Sequence, residues 1–164
     1  MGKERRNSVE PLPISYSRMS QTRLVLPPDT NHMDTIFGGK VLAYIDEIAA
    51  LTAMKHSGNV VVTASIDSVD FISSAQVGDA LTLEAIVTST GRTSMEVYVK
   101  VFADNLLLGK KVLTTESFLS MVAVDRDRNP TEVPGVIPET EEEYRLYETA
   151  NSRKELRKNR MRLK

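Results

Sequence analysis

The residues whose types and spacing could do chemistry lie between Pro27 and Ala53, in PPDTNHMDTIFGGKVLAYIDEIAALTA. A polar, turn-rich loop carrying Asn31 ends in a double glycine, Gly38-Gly39, and an apolar run follows with an acidic pair, Asp46-Glu47, in its middle. Glycines at the start of a helix leave backbone N–H groups bare, at the end where the partial positive charge of the helix lies. A carboxylate two turns further on offers a general base, and the asparagine an amide to hold water or a carbonyl oxygen. Together these groups can polarise a carbonyl and activate water. The residues one helical turn from Asp46 are Leu42, Ala43, Ala49 and Ala50, mostly small, which leaves room for a ligand. Blander readings stand beside these: a solvated helix face for Asp46-Glu47, an Asx turn for Asn31, and a plain helix-start turn for the two glycines.

Little else competes. The chain has no cysteine and only two histidines, His32 and His56. That excludes disulfides, thiolate nucleophiles and cysteine zinc sites, and argues against a histidine metal site. No G-x-S-x-G, Walker loop, H-E-x-x-H or G-x-G-x-x-G pattern is present. Distance constrains what remains. Gly38 and Asp46 are eight residues apart, about 12 Å along a helix rising 1.5 Å per residue. One carbonyl cannot touch both in one protomer, so the chemistry calls for a dimer with composite sites.

The elements that must hold these groups follow from periodicity. Between Gly39 and His56, Val41, Ile45, Ile48 and Thr52 recur at helical spacing, and Ser57-Gly58-Asn59 ends the run. Strands are expected at Thr22–Leu26, Val60–Phe71, Ala80–Thr90, Met95–Phe102 and Leu106–Val124, with turns at Gly78-Asp79, Gly91-Arg92 and Asp104-Asn105. Met95, Val97, Val99 and Val101 alternate with Glu96, Tyr98, Lys100 and Phe102, the clearest period-two segment, and the first set should face the helix. Tight turns make the strands antiparallel. The fold class is therefore α+β, one long helix with an antiparallel sheet curled round it. Residues 1–15 read as a disordered terminus, 16–125 as the folded domain, and 126–164 as a linker with a polar C-terminal helix and tail. Thr140 and Glu143 form a capping box for that helix.

Length, 164 residues, suits one domain plus a tail, and 41% hydrophobic residues suffice for a core. The N-terminal MGKERRNSVEPLP has no apolar stretch, so it is not a signal peptide, and no apolar run reaches the ~20 residues of a membrane span. Net charge is −1, yet Asn151–Lys164 carries seven basic residues against Glu155. Such a tail fits a polyanionic ligand or a solvated helix end. Lacking a strong apolar period, it reads as dispensable for folding.

The segment PPDTN…IFGGKVLAYIDEIAALTA resembles the hotdog-fold acyl-CoA thioesterases, and the resemblance continues through VVTASIDSVDFISSAQVGD, GRTSMEVYVKV and FLSMVAVD. It covers about Thr22 to Asp125. It implies a hotdog fold, hydrolysis of fatty acyl-CoA to fatty acid and CoA, and a cytoplasmic enzyme. It also implies a homodimer with composite sites, often a trimer of dimers. No cofactor is expected beyond the CoA of the substrate, and neither a nucleic-acid partner nor a membrane span. By resemblance Asp46 is the general base or nucleophile, Asn31 positions the thioester or water, and the backbone at Gly38 and Gly39 polarises the thioester carbonyl. By the same resemblance the stretch Phe71 to Gly78 and the turn Gly91, Arg92, Thr93, Ser94 line the CoA cleft, with Arg92 offering a phosphate a cation. Two alternatives stay open: a non-catalytic acyl-CoA-binding hotdog protein, and a hotdog hydratase or dehydratase. The second normally wants a catalytic histidine on the active helix, which has none before His56.

Overall fold

A computed structural model describes residues 9–164. In chain order the elements are β1 (Leu12–Pro13), α1 (Ile14–Ser17), β2 (Met19–Leu24), a 3-10 turn (Pro27–Asp29), α2 (Gly38–Ser57), β3 (Val60–Phe71), β4 (Ala80–Thr90), β5 (Ser94–Asn105), β6 (Lys110–Val124), β7 (Val136–Ile137) and α3 (Glu141–Arg162). The main sheet has the order β2-β4-β5-β6-β3, and every pair in it is antiparallel.

The long helix α2 forms where its apolar stripe predicts. Val41, Ile45, Ile48 and Thr52 are all buried. The helix stops at Gly58, whose φ of +66° is the left-handed conformation that glycine adopts without steric cost. The stripe packs on the face of the sheet that presents Leu81, Leu83, Met95, Val97, Val99, Leu119 and Met121, making the principal core. The other face of β5 is also covered. Tyr98 packs with Ile14, Ile86 and Leu146 in a second core, so α1 and α3 lie across the outer side of the sheet. Both faces of β5 are thus buried, although its sequence alternates.

Three expectations need correction. Of the expected disordered terminus, 1–15, residues 1–8 lie outside the described residues, but Leu12–Pro13 pairs in parallel with Val136–Ile137 and Ile14 is fully buried. Apolar burial and this short ladder order the segment despite its prolines. The turn expected at Asp104-Asn105 comes later. β5 runs through Asn105, whose side chain accepts a hydrogen bond from the Leu108 N–H at 3.1 Å, and Gly109 takes a φ of +63°. The first sheet strand is Met19–Leu24 rather than Thr22–Leu26, because the Val25 N–H turns away to the carbonyl of Asp79.

The 126–164 segment carries the expected capped helix; Glu143 N–H donates to Thr140 Oγ1 at 3.2 Å. The linker before it is bound to the domain. Val133 is buried, and its N–H donates to the carbonyl of Arg92 at 3.0 Å. His56, at the end of α2, holds the same linker through Nε2 and the Pro134 carbonyl at 2.8 Å, and burial lowers its pKa despite that bond. The helix is not a loose tail. Arg153 clamps the buried Glu96 through two hydrogen bonds of 2.9 and 2.8 Å. Arg157 and Arg160 both pair with Asp67 of β3.

Candidate active site

The start of α2 supplies donors. The N–H groups of Lys40 and Val41 both bond to the carbonyl of Phe37, while those of Gly38 and Gly39 have no hydrogen-bond partner among the described residues. Such orphan donors are the property of every helix N-terminus that no side chain caps, and Phe37 cannot cap. A methyl group on Gly38 would stand 3.3 Å from the Phe71 ring, while one on Gly39 would meet open space. Beside Gly38 opens a cavity of about 350 Å³, with Ile36, Val41, Phe71, Leu81 and Thr115 among its walls.

Asp46 sits half-buried two turns along α2, and Thr63 of β3 donates its hydroxyl to Asp46 Oδ1 at 2.7 Å. Thr63 escaped sequence analysis: nothing local distinguishes it within VVVTASID, and only the packing of α2 along β3 reveals it. Glu47 points elsewhere. It is exposed and paired with Arg23 at 2.7 Å, and that guanidinium also lies over the Tyr44 ring. Of the acidic pair, Asp46 alone faces β3.

Asn31 folds its own loop. Its Oδ1 accepts from the Met33 N–H at 2.9 Å and the Thr35 N–H at 3.3 Å, and its Nδ2 donates to Thr35 Oγ1 at 3.0 Å. This is the Asx turn of the blander reading, and it shapes the loop that leads into Gly38.

These groups divide along the molecule. α2 runs antiparallel to β3, so Gly38 meets Phe71 at one end and Asp46 meets Thr63 near the other. Phe71 pairs with Thr115, whereas Ser94 pairs with Val122, so Phe71 and the Gly91–Ser94 turn occupy opposite ends of the sheet. Within one chain the structure does not bring together Gly38 with Asp46, or Phe71 with Arg92. At the turn, the Gly91 N–H donates to the carbonyl of Ser94 at 2.9 Å, and Arg92 is exposed with no carboxylate partner among the described residues. A cavity of about 210 Å³ lies beside it, bordered by Gly91, Ser94, Ser120, Asn151, Lys154 and Arg157.

The basic tail borders this cavity, but four of its cations, Arg153, Arg157, Lys158 and Arg160, already serve carboxylates. Burial pushes the Asp67 carboxyl up, yet hydrogen bonds from Ser65, Ser120 and Arg160, with the charge of Arg157, outweigh it and hold the group below its ordinary value. Lys154 is the tail cation at the cavity that no carboxylate pairs among the described residues.

Known proteins resemble this chain in sequence and fold. The thioesterase superfamily profile matches residues 33–110, which hold Gly38, Gly39, Asp46 and Thr63. A Bacillus subtilis protein named an uncharacterized acyl-CoA thioester hydrolase is 47% identical over 89% of this chain and 85% of its own length. A rat protein named a cytosolic acyl coenzyme A thioester hydrolase is 32% identical over 88% of this chain, which spans 38% of the rat protein. Among solved structures, an apo-hexameric acyl-CoA thioesterase superposes with a TM-score of 0.93 at 70% identity, covering 95% of this chain and all of the other. An acyl-CoA hydrolase from Staphylococcus aureus, solved with butyryl coenzyme A and coenzyme A, superposes at 0.88 with 47% identity over 92% of this chain and 93% of its own. It has also been solved as single alanine variants of an aspartate, an asparagine and a threonine. A sheet curled round one helix, the hotdog fold, and this degree of identity over nearly the whole chain lead to one conclusion: the chain belongs to the acyl-CoA thioester hydrolases of the thioesterase superfamily.

Proposed function

We propose that hydrolysis of the acyl-CoA thioester takes place between two copies of this chain, with Asp46 of one copy facing Gly38 and Gly39 of the other. The observation that carries this is the Thr63–Asp46 contact beside an open sheet edge. β3 ends the sheet, and its 12 residues offer a row of backbone donors and acceptors that no strand pairs among the described residues, with the Asp67 carbonyl capped by Arg160 at 3.0 Å. Proteins rarely leave so long an edge uncovered. Thr63 and Phe71 each stand four residues from Asp67. Antiparallel pairing of two β3 strands about an axis near Asp67 therefore sets Thr63 opposite Phe71 of the second copy. Asp46 then meets the free N–H groups at the start of the second copy's α2. The separation of about 12 Å that forbids a site within one helix becomes the spacing that lets two antiparallel helices share two sites.

The chemistry follows from the parts. The thioester oxygen sits against the N–H groups of Gly38 and Gly39, which stabilise the negative charge that grows there. Asp46 takes a proton from water as its oxygen attacks the carbonyl carbon. The tetrahedral intermediate collapses, the C–S bond breaks, and the proton on Asp46 passes to the departing sulfur. A fatty acid and free CoA result. Thr63 aims the carboxylate and Asn31 shapes the loop before the donors. CoA enters and leaves as part of substrate and product, and no step calls for another cofactor. From Thr63 the CoA arm runs toward Gly91, Arg92, Thr93 and Ser94 of the same copy, where Arg92 meets a phosphate. Phe71 of the second copy borders the same cleft.

The Staphylococcus aureus variants support these assignments, since the altered asparagine, aspartate and threonine have the same spacing in sequence as Asn31, Asp46 and Thr63. The hexameric relative supports a trimer of such dimers. The rat relative, named a cytosolic hydrolase, supports a cytoplasmic enzyme. The test is Asp46→Asn, which keeps shape and removes the base. Turnover of acyl-CoA should fall by at least about 100-fold while CoA still binds; wild-type turnover would contradict the mechanism.

A further inference from the structure

We propose that Phe71 is the acyl-length gate of this enzyme: its ring closes the mouth of the cavity beside Gly38 and discriminates against long acyl chains. The inference rests on the oxyanion role given above to Gly38 and Gly39, because those donors fix where the acyl chain must begin. The chain leaves the thioester carbonyl carbon directly, and the opening nearest the donors is the 350 Å³ cavity.

The cavity suits an alkyl chain. Ala75 and Leu81 are almost wholly buried walls, and Val41 nearly so. Three of its four hydroxyls already have internal acceptors: Thr114 donates to the Val101 carbonyl at 3.0 Å, Ser73 to the Leu113 carbonyl at 3.1 Å and Thr115 to Thr114 Oγ1 at 3.5 Å, while Ser74 is exposed. An entering methylene chain therefore strands no buried donor, which is the usual penalty of filling a partly polar pocket. A volume of about 350 Å³ lies at the small end of ligand pockets, which run from roughly 300 to 1,000 Å³.

Phe71 is the wall that can move. Within one copy it is 56% exposed at the last position of β3, facing the cleft shared with the second copy, whereas the other large apolar walls are wholly or partly buried. Its ring touches the spot where a Gly38 side chain would stand, so the absence of a side chain at position 38 is what lets the ring close over the helix start. With the ring in place the cavity takes a short chain. A long chain must push the ring out by a rotamer change, which no core cluster of its own copy opposes. The barrier is thus paid in affinity for long substrates alone.

The experiment measures kcat/KM for butyryl-, octanoyl- and palmitoyl-CoA with the full-length protein and three variants. Phe71→Ala should raise the palmitoyl-to-butyryl ratio at least about tenfold, the scale on which apolar pockets discriminate by size. Phe71→Trp should lower it. Leu107→Ala, exposed and outside the cavity wall, should leave the ratio unchanged. Phe71 belongs to neither core cluster, so its replacement leaves the fold of each copy intact, and light scattering on each variant checks that the copies still assemble. Ratios within twofold of wild type for both Phe71 variants would overturn the gate. Asp46→Asn assayed alongside separates the two readings. If that variant is inactive and the ratios do not move, the gate alone fails; if it turns over normally, the catalytic reading fails.

Discussion

Thr63 Oγ1 lies 2.7 Å from Asp46 Oδ1, joining the middle of the long helix to the edge strand of the sheet. This bond fixes which way the carboxylate faces, so its loss should act on the chemical step. Thr63→Val keeps the shape and removes the donor. Turnover should fall about 10- to 100-fold, a fraction of the ~100- to 10,000-fold that a general base supplies, with KM little changed. Thr63→Ser should restore most of the loss. Steady-state kinetics on a single acyl-CoA decides it, and an unchanged kcat in Thr63→Val would assign the bond to packing alone.

Arg92 carries no carboxylate and stands at the turn where the CoA arm is placed. Contact with a phosphate is made equally in ground and transition states, so Arg92→Ala should raise KM for acyl-CoA about tenfold and spare kcat. Thioesters of pantetheine, which lack the nucleotide phosphates, provide the comparison: their hydrolysis should not respond. An equal effect on both substrates would place the role of Arg92 in folding of the turn.

The basic tail from Asn151 reads in the sequence as dispensable for folding, and its contacts say otherwise. Glu96 is only 8% exposed and relies on Arg153. Removing one partner of a buried ion pair leaves the other charge uncompensated, at a cost of about 3–5 kcal/mol. Arg153→Ala should therefore destabilise the protein strongly, whereas Lys154→Ala should change stability by less than about 0.5 kcal/mol. Denaturant titration compares them, and equal midpoints would mean that the clamp contributes nothing.

Two groups give stability an acid limb. The pKa of His56 in the folded chain lies below the ordinary 6.5, so the unfolded state binds its proton first, and its contribution is lost as pH falls below 6.5. Asp67 also titrates below its ordinary 3.8, so its share persists above that pH and is lost as pH falls through the folded value. Melting temperature should decline in two stages on acidification. His56→Gln should flatten the first stage and leave the second, and a variant as pH-sensitive as wild type between 7 and 5 would contradict the assignment.

The parts legible in the sequence were those that periodicity or local chemistry writes. The stripe Val41, Ile45, Ile48, Thr52 placed the helix, and Met95, Val97, Val99, Val101 placed the central strand and its inward face. Gly38-Gly39 and Asp46 stood out because few other residues could act on a carbonyl. What stayed hidden depends on contacts distant in sequence. Thr63 meets Asp46 across 17 positions and Arg153 meets Glu96 across 57. Leu12 and Ile14 looked disordered because the partners that order them, Val136 and Leu146, come more than a hundred residues later. Asn31 was legible as a candidate, but its hydrogen bonds show that it works first on its own loop.

The central claim is that each site draws Asp46 from one copy and the donors at Gly38 and Gly39 from another, and mixed oligomers test it most directly. Gly39→Pro removes one donor at a position in the first helical turn where proline is tolerated and where a side chain meets open space. Alone, Gly39→Pro and Asp46→Asn should each be nearly inactive. Co-expressed and assembled together at equal amounts, half of the dimers pair one of each, and each mixed dimer keeps one intact site of its two. The account predicts that about one quarter of wild-type activity returns; mixed oligomers as inactive as either parent would place both groups in a site within one chain and contradict it.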